Sequence, residues 1–228
     1  MIALVGSDGA GKSTICHQLH TWLRFKLDVH SFYMGSGDGG THPVDLLRRC
    51  IRSIVKSVKG GSKRRPQGTA SVGDRKANGG FGKFIELYQL AIMHRKITML
   101  RSGRTLVHGG SIALTDRYPQ EQFPGISDGP KIQGKRSYAW AAERELDLYQ
   151  QAKKLGPDLV INLKVSPEVA VQRKPDHDVA AIAKKIEIVE ALKFPQARVV
   201  AVDTTEPLDV VLLATKRAIW AELIRKCA

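Results

Sequence analysis

Nine consecutive residues near the start of the sequence, Gly6-Ser7-Asp8-Gly9-Ala10-Gly11-Lys12-Ser13-Thr14, combine the residue types that hold and activate phosphate. Gly6, Gly11, Lys12 and Ser13 satisfy the spacing G-x-x-x-x-G-K-[ST]. The glycines let successive backbone N–H groups point at one anion. Lys12 brings a positive charge to the β- and γ-phosphates of a nucleotide such as ATP, and Ser13 offers a hydroxyl to Mg²⁺. A helix starting at this point adds the positive end of its dipole.

Four further positions carry candidate chemistry. Asp116 and Arg117 follow the apolar run Ile112-Ala113-Leu114-Thr115. A carboxylate at the end of such a run is what Mg²⁺ beside a phosphate loop requires. Arg173 stands near the end of a short helical stretch that opens with Ser166-Pro167-Glu168. Asp8 and Asp38 are the candidate bases if the phosphate acceptor is a hydroxyl.

Strands and helices must place these residues. Ile2–Val5 has the composition of a buried parallel strand. Ile15, Leu19, Trp22 and Leu23 predict a helix over Lys12–Lys26. Asp28–Met34 reads as a second strand, leading into the glycine-rich stretch Gly35–Thr41, which is expected to face the phosphate loop. Pro43 opens a helix carried by Val44, Leu47, Ile51, Ile54 and Val58. The pattern dissolves from Lys59 to Gly82, a basic insertion around Lys63-Arg64-Arg65 that reads as a solvated segment or as a flap over an anionic ligand. Phe84 to Val107 predicts a long helix whose Arg and Lys residues face solvent, with His94 and His108 structural or exposed. Further strands are expected over Ser111–Thr115, Leu159–Val165 and Val199–Val202. Helices are expected over Ala139–Lys154, from Pro167 to the stop at Pro175, over Asp176–Leu192 and over Leu208–Lys226. The alternation predicts an α/β fold, with a parallel sheet covered on both faces.

The 228 residues suffice for one domain, so 1–228 is expected to fold as a unit carrying the basic insertion at about 60–82. Hydrophobic residues make up 43%, and no apolar run is long enough to span a membrane. Cys16, Cys50 and Cys227 show neither metal spacing nor a disulfide framework. With no leader segment apparent, the cytoplasm is the expected location. The net charge of +14 exceeds what a phosphate site needs. The insertion lacks aromatic residues between Lys59 and Gly80, which argues against nucleic acid as its partner. A homodimer is left open.

The phosphate loop, Asp116-Arg117-Tyr118, and Pro157-Asp158 through Ser166-Pro167-Glu168 to Arg173 together resemble the thymidylate kinase family. The resemblance covers most of the chain in order. It implies a P-loop, nucleoside monophosphate kinase-like three-layer sandwich whose five-stranded parallel sheet has the order 2-3-1-4-5. It also implies that Asp8 meets a sugar hydroxyl of the acceptor, that Lys12, Ser13 and Thr14 serve the ATP phosphates and Mg²⁺, and that Asp116 lies near the metal. Arg117 would orient phosphates, and Arg173 would be delivered by a mobile lid to the transferring group. The acceptor half departs from the family. Its Arg-Glu-Pro after the second strand is absent ahead of Gly39-Gly40-Thr41, Val5 replaces a glutamate, and the segment after Tyr118 is unrelated. The resemblance therefore implies an ATP- and Mg²⁺-dependent nucleotide kinase with a rebuilt acceptor site. The alternatives are a kinase of a nucleoside or sugar hydroxyl, or a nucleotide-binding regulator or polyanion-binding module without acceptor chemistry.

Overall fold

The computed structural model describes residues 1–35, 79–132, 138–175 and 178–227. Five strands, β1 (Ile2–Gly6), β2 (Val29–Phe32), β3 (Ile112–Thr115), β4 (Leu159–Lys164) and β5 (Arg198–Asp203), form one parallel sheet of order β2-β3-β1-β4-β5. The central strand β1 is in register with β3 through Ile2↔Leu114 and with β4 from Ile2↔Leu159 to Gly6↔Leu163. β3 is buried at all four positions and β4 at all but its last. Unbroken apolar strands of this kind belong to a sheet covered on both faces.

Alternate side chains of β1 feed two separate cores. Ile2 and Leu4 pack against α1 (Lys12–Arg24), α4 (Pro167–Arg173), α5 (Val179–Ala191) and α6 (Leu208–Cys227), through Ile15, Leu19, Ala170, Ile182, Val211 and Ile219. Ala3 and Val5 face α2 (Gly79–His108) and α3 (Ala139–Lys154), through Met93, Ile97, Leu100, Leu148 and Tyr149. The result is the expected three-layer α/β sandwich. All strands run the same way, so the segments after β1, β3, β4 and β5 leave from one end of the sheet. β1 has β3 on one side and β4 on the other, which is the switch point where ligands of open α/β sheets bind.

Two expectations are corrected. Helix α2 begins at Gly79, so residues 79–82 belong to it and not to the basic insertion. Each glycine costs about 1 kcal/mol in a helix, and the long apolar stripe downstream outweighs that cost. The lysines of α2 do not all face solvent either. Lys96 is only 7% exposed, because it sits at the core-facing phase between Met93 and Leu100. His94 and His108 are exposed as expected. The glycine-rich stretch beyond Gly35, the helix opened by Pro43, Asp38 and the insertion up to residue 78 lie outside the described residues. Among these, no helix is long and apolar enough to cross a membrane.

Candidate functional site

The phosphate loop is built where β1 ends and α1 begins. Gly9 and Gly11 have φ of 87° and 75°, a region that side chains with a Cβ rarely enter. A Cβ on Gly9 would also stand 2.9 Å from both the Cα and the carbonyl oxygen of Ala170 in α4, so glycine is required twice over. Ser13 and Thr14 are exposed at the first turn of α1, and Ser7 and Ala10 are buried. Lys12 does not project into solvent, contrary to what its place in an open loop suggests. Its Nζ donates to the Gly6 carbonyl at 2.9 Å and to the Ser7 carbonyl at 2.6 Å. Burial, aided by the Arg117 charge, pushes its ammonium down to about 8.

Asp116 sits at the carboxyl end of β3. Its Oδ1 accepts from the Met34 N–H at 2.9 Å, which ties the end of β2 to the site. Burial raises its carboxyl, the Asp128 charge adds to this, and the Met34 N–H, Arg117 and Lys12 oppose it. Asp116 and the Ser13 hydroxyl are hard oxygen donors of the kind Mg²⁺ accepts. Among the described residues no group of three or more His, Cys, Asp or Glu could hold a metal unaided. The pair therefore fits an ion that takes most of its remaining ligands from nucleotide phosphate and water.

Beside the loop runs a chain of alternating charges that sequence reasoning found only in part. Lys96 of α2 donates to Asp128 Oδ1 at 2.8 Å. Arg117 NH1 donates to Asp128 Oδ2 at 3.4 Å, and Arg117 NH2 lies 4.0 Å from Asp8 Oδ1. Lys185 of α5 donates to Asp8 Oδ2 at 2.5 Å. Burial works against the Asp128 carboxylate, but Lys96 and Arg117 hold it down at about 2. Burial likewise opposes ionisation of Asp8, and Lys185, Lys12 and Arg117 more than offset it. Lys96, Asp128 and Lys185 were missed. The two lysines had a signal, because each interrupts an apolar helical stripe: Met93-Lys96-Ile97-Leu100 and Ile182-Lys185-Ile186-Val189.

Arg173 is placed elsewhere on the loop. Its NH1 donates to the Gly9 carbonyl at 3.2 Å and its NH2 to the Thr204 carbonyl at 2.9 Å. With Gly11, Thr14, Glu206 and Leu208 it lines a cleft of about 250 Å³. Helix α4, which carries it, starts as the sequence predicts: Ser166 Oγ accepts from the Val169 N–H, and Pro167 takes the first turn. Cys16 is buried beneath the site, and burial together with the Asp116 charge pushes its thiol up to about 12, so it is chemically quiet.

Two Escherichia coli K12 proteins match nearly the whole chain. YghR, named as an ATP-binding protein, is 30% identical over 96% of this chain and 86% of its own length. YghS, named likewise, is 30% identical over 98% of this chain and 93% of its own. The chain belongs to the YghR–YghS family. No family model matches it. Among solved structures, the deoxyadenosine kinase of M. mycoides with bound dATP superposes with a TM-score of 0.50, covering 96% of this chain and 98% of that one at 16% identity. This member of the YghR–YghS family thus shares the fold of a P-loop nucleoside kinase.

Proposed function

We propose that the protein is an ATP- and Mg²⁺-dependent phosphotransferase acting on a small-molecule acceptor of the nucleotide and nucleoside class. The observation that carries this reading is the convergence of Lys12, Asp116 and Arg117 on one phosphate loop. The loop N–H groups and Lys12 would bind the β- and γ-phosphates of ATP, and the ammonium would exchange the Gly6 and Ser7 carbonyls for phosphate oxygens. Ser13 and Asp116 would hold Mg²⁺, which would supply positive charge to offset that of the phosphates. Arg117 would meet charge developing on the transferred group. The names of YghR and YghS as ATP-binding proteins support the donor, and the deoxyadenosine kinase neighbour supports the acceptor class.

The pairing of charges favours a hydroxyl acceptor over a monophosphate. Among the described residues, Lys96, Arg117 and Lys185 are each matched to Asp128 or Asp8. A second phosphate would have to break those pairs. A neutral sugar hydroxyl would not, and Asp8, within the loop, would receive its hydrogen bond. The resemblance to thymidylate kinases is then one of the donor half only.

Transfer from γ-labelled ATP to a panel of nucleosides and nucleoside monophosphates tests both statements. The expected result is transfer to at least one nucleoside, with thymidine monophosphate lower in kcat/KM by about 10²-fold or more, equivalent to about 2.7 kcal/mol of transition-state binding. Efficient formation of thymidine diphosphate would overturn the hydroxyl reading. Absence of any transfer, with no thermal stabilisation by ATP and Mg²⁺ at saturating concentration, would overturn the phosphotransferase reading itself.

A further inference from the structure

The loop from Tyr118 to Ile132 is held in a conformation its residues do not favour. Ser127 and Asp128 are adjacent, neither is glycine, and both have positive φ, 49° and 65°. Such strain persists only where the surroundings enforce it, and it concentrates at functional positions. Here the enforcement is specific. Gln120 folds the loop from within: its Nε2 donates to the carbonyls of Phe123 at 2.9 Å and Ile126 at 2.7 Å, and its Oε1 accepts from the Phe123 N–H at 2.8 Å. The Tyr149 hydroxyl donates to the Asp128 carbonyl at 2.9 Å. At the far end, the buried Glu145 carboxylate accepts from the N–H groups of Lys131 and Ile132.

The product of all these contacts is the placement of one carboxylate. Asp128 is only 12% exposed, and it joins Lys96 of α2 to Arg117 after β3. Arg117 Nε is buried and has no hydrogen-bond partner among the described residues, and NH2 stands 4.0 Å from Asp8. Without the hold on NH1, the guanidinium would be free to close on Asp8, whose negative charge lies within the phosphate loop. Lys185 already satisfies the other oxygen of Asp8, which weakens that competing attraction without removing it.

We propose that Asp128 is the positioning residue for Arg117: it fixes NH1 so that the rest of the guanidinium stays presented to the transferring phosphoryl group. This rests on the phosphotransferase reading above. Asp128 touches no reacting atom and acts through the arginine. The competing account makes Asp128 a structural staple between α2 and the loop, with Arg117 a bystander.

The test uses ADP, Mg²⁺ and aluminium fluoride, a mimic of the planar phosphoryl group, so no acceptor need be known. The wild-type protein is expected to bind ADP with fluoroaluminate more tightly than ADP alone, because Arg117 meets the mimic's added charge. Asp128→Asn should reduce that preference by on the order of tenfold while leaving ADP affinity within about twofold. Arg117→Ala should lose at least as much, and adding Asp128→Asn to it should change nothing further. If Asp128→Asn unfolds because Lys96 is left buried without a counter-charge, the double variant Lys96→Met, Asp128→Asn removes both charges. It should bind ADP normally and still lack the preference. Full fluoroaluminate preference in Asp128→Asn or in the double variant overturns the proposal in favour of the staple. So does an equal loss from Asp128→Asn in the Arg117→Ala background. A wild-type protein that binds ADP yet shows no preference for fluoroaluminate overturns the phosphotransferase reading and this inference with it.

Discussion

The two halves of the candidate site are built in opposite ways. The donor half, on the reading proposed above, is the loop from Gly6 to Thr14 apart from the Asp8 side chain, and most of its work would fall to backbone N–H groups whose direction depends on φ at Gly9 and Gly11. The facing half is a row of side chains drawn from α2, the loops after β1 and β3, and α5: Lys96, Asp128, Arg117, Asp8 and Lys185. A loop made of backbone tolerates change in its surroundings, because its geometry is set locally. A row of charges depends on every element that delivers a member, and removing one leaves its neighbour with an unmatched charge. The donor half should therefore fail only when its own residues are changed, and the facing half should fail as a unit.

The largest expected effect belongs to the donor half. Lys12→Ala should lower phosphoryl transfer or ATP hydrolysis by about 10²-fold or more, since it removes the charge proposed to meet the β- and γ-phosphates. The melting temperature should not fall, because the ammonium is nearly buried and its desolvation is relieved by the substitution. Turnover close to normal would dissolve the distinction between the two halves and with it the phosphate-loop reading.

The facing half is tested by Asp8→Asn, Lys185→Met and their combination. Each single change should lower kcat/KM for the acceptor by roughly tenfold, with ATP affinity within about threefold, and the double change should cost scarcely more than either. Additive losses would mean that Asp8 and Lys185 act separately, and that the row is five neighbours and not one device.

Legibility followed the same division. The phosphate loop was readable because motif, strand and helix are contiguous, and the strands were readable as apolar runs such as Ser111–Thr115 and Leu159–Val165, whereas their order came from the resemblance to thymidylate kinases. Asp116 and Arg117 were readable because they end such a strand. Lys96 was misread as solvent-facing, since lysine on a long helix ordinarily is, although its phase with Met93, Ile97 and Leu100 pointed inward. Asp128 had no sequence signal. Its place depends on Gln120, Tyr149 and a strained turn, none of which shows periodicity. Arg173 was legible as the end of the Ser166-capped helix, but its hydrogen bonds to Gly9 and Thr204 belong to tertiary packing.

A pH series sharpens the comparison at intermediate size. The Lys12 ammonium is lowered to about 8 by burial and by Arg117. On the proposed reading, the nucleotide-free protein should therefore lose kcat/KM for ATP as pH rises through about 8, approaching tenfold per unit, where an ordinary lysine would hold to above about 10. Stability moves the other way. The unfolded chain keeps the lysine proton up to about 10.4, so between about pH 8 and that value it binds more protons than the folded protein, and this group's penalty on folding is relieved as pH rises. Asp128 has the depressed carboxylate's sign: its contribution is complete above about pH 3.9 and is lost as pH falls toward about 2. Fluorescence titration of a nucleotide analogue beside thermal melts separates the two trends. Flat nucleotide affinity from pH 7 to 10 would show that Lys12 is not the titrating partner.

The smallest expected effect tests whether the donor half is as local as it looks. Helix α4 supports the loop from outside: Ala170 packs under Gly9, and Arg173 bonds the Gly9 carbonyl. Ser166 caps that helix by accepting from the Val169 N–H at 3.3 Å. Ser166→Ala should cost about 1 kcal/mol of stability, a fall of roughly 2–4 °C in Tm for a chain of this size. Pro167 still starts the helix, and the N–H directions of the loop are set by its own backbone, so ATP affinity should stay within about twofold. Calorimetric binding of a non-hydrolysable ATP analogue to both proteins checks it. A tenfold loss of affinity with so small a loss of stability would mean that the loop's geometry is transmitted through α4, and the donor half would then be as much an assembly of distant parts as the row of charges that faces it.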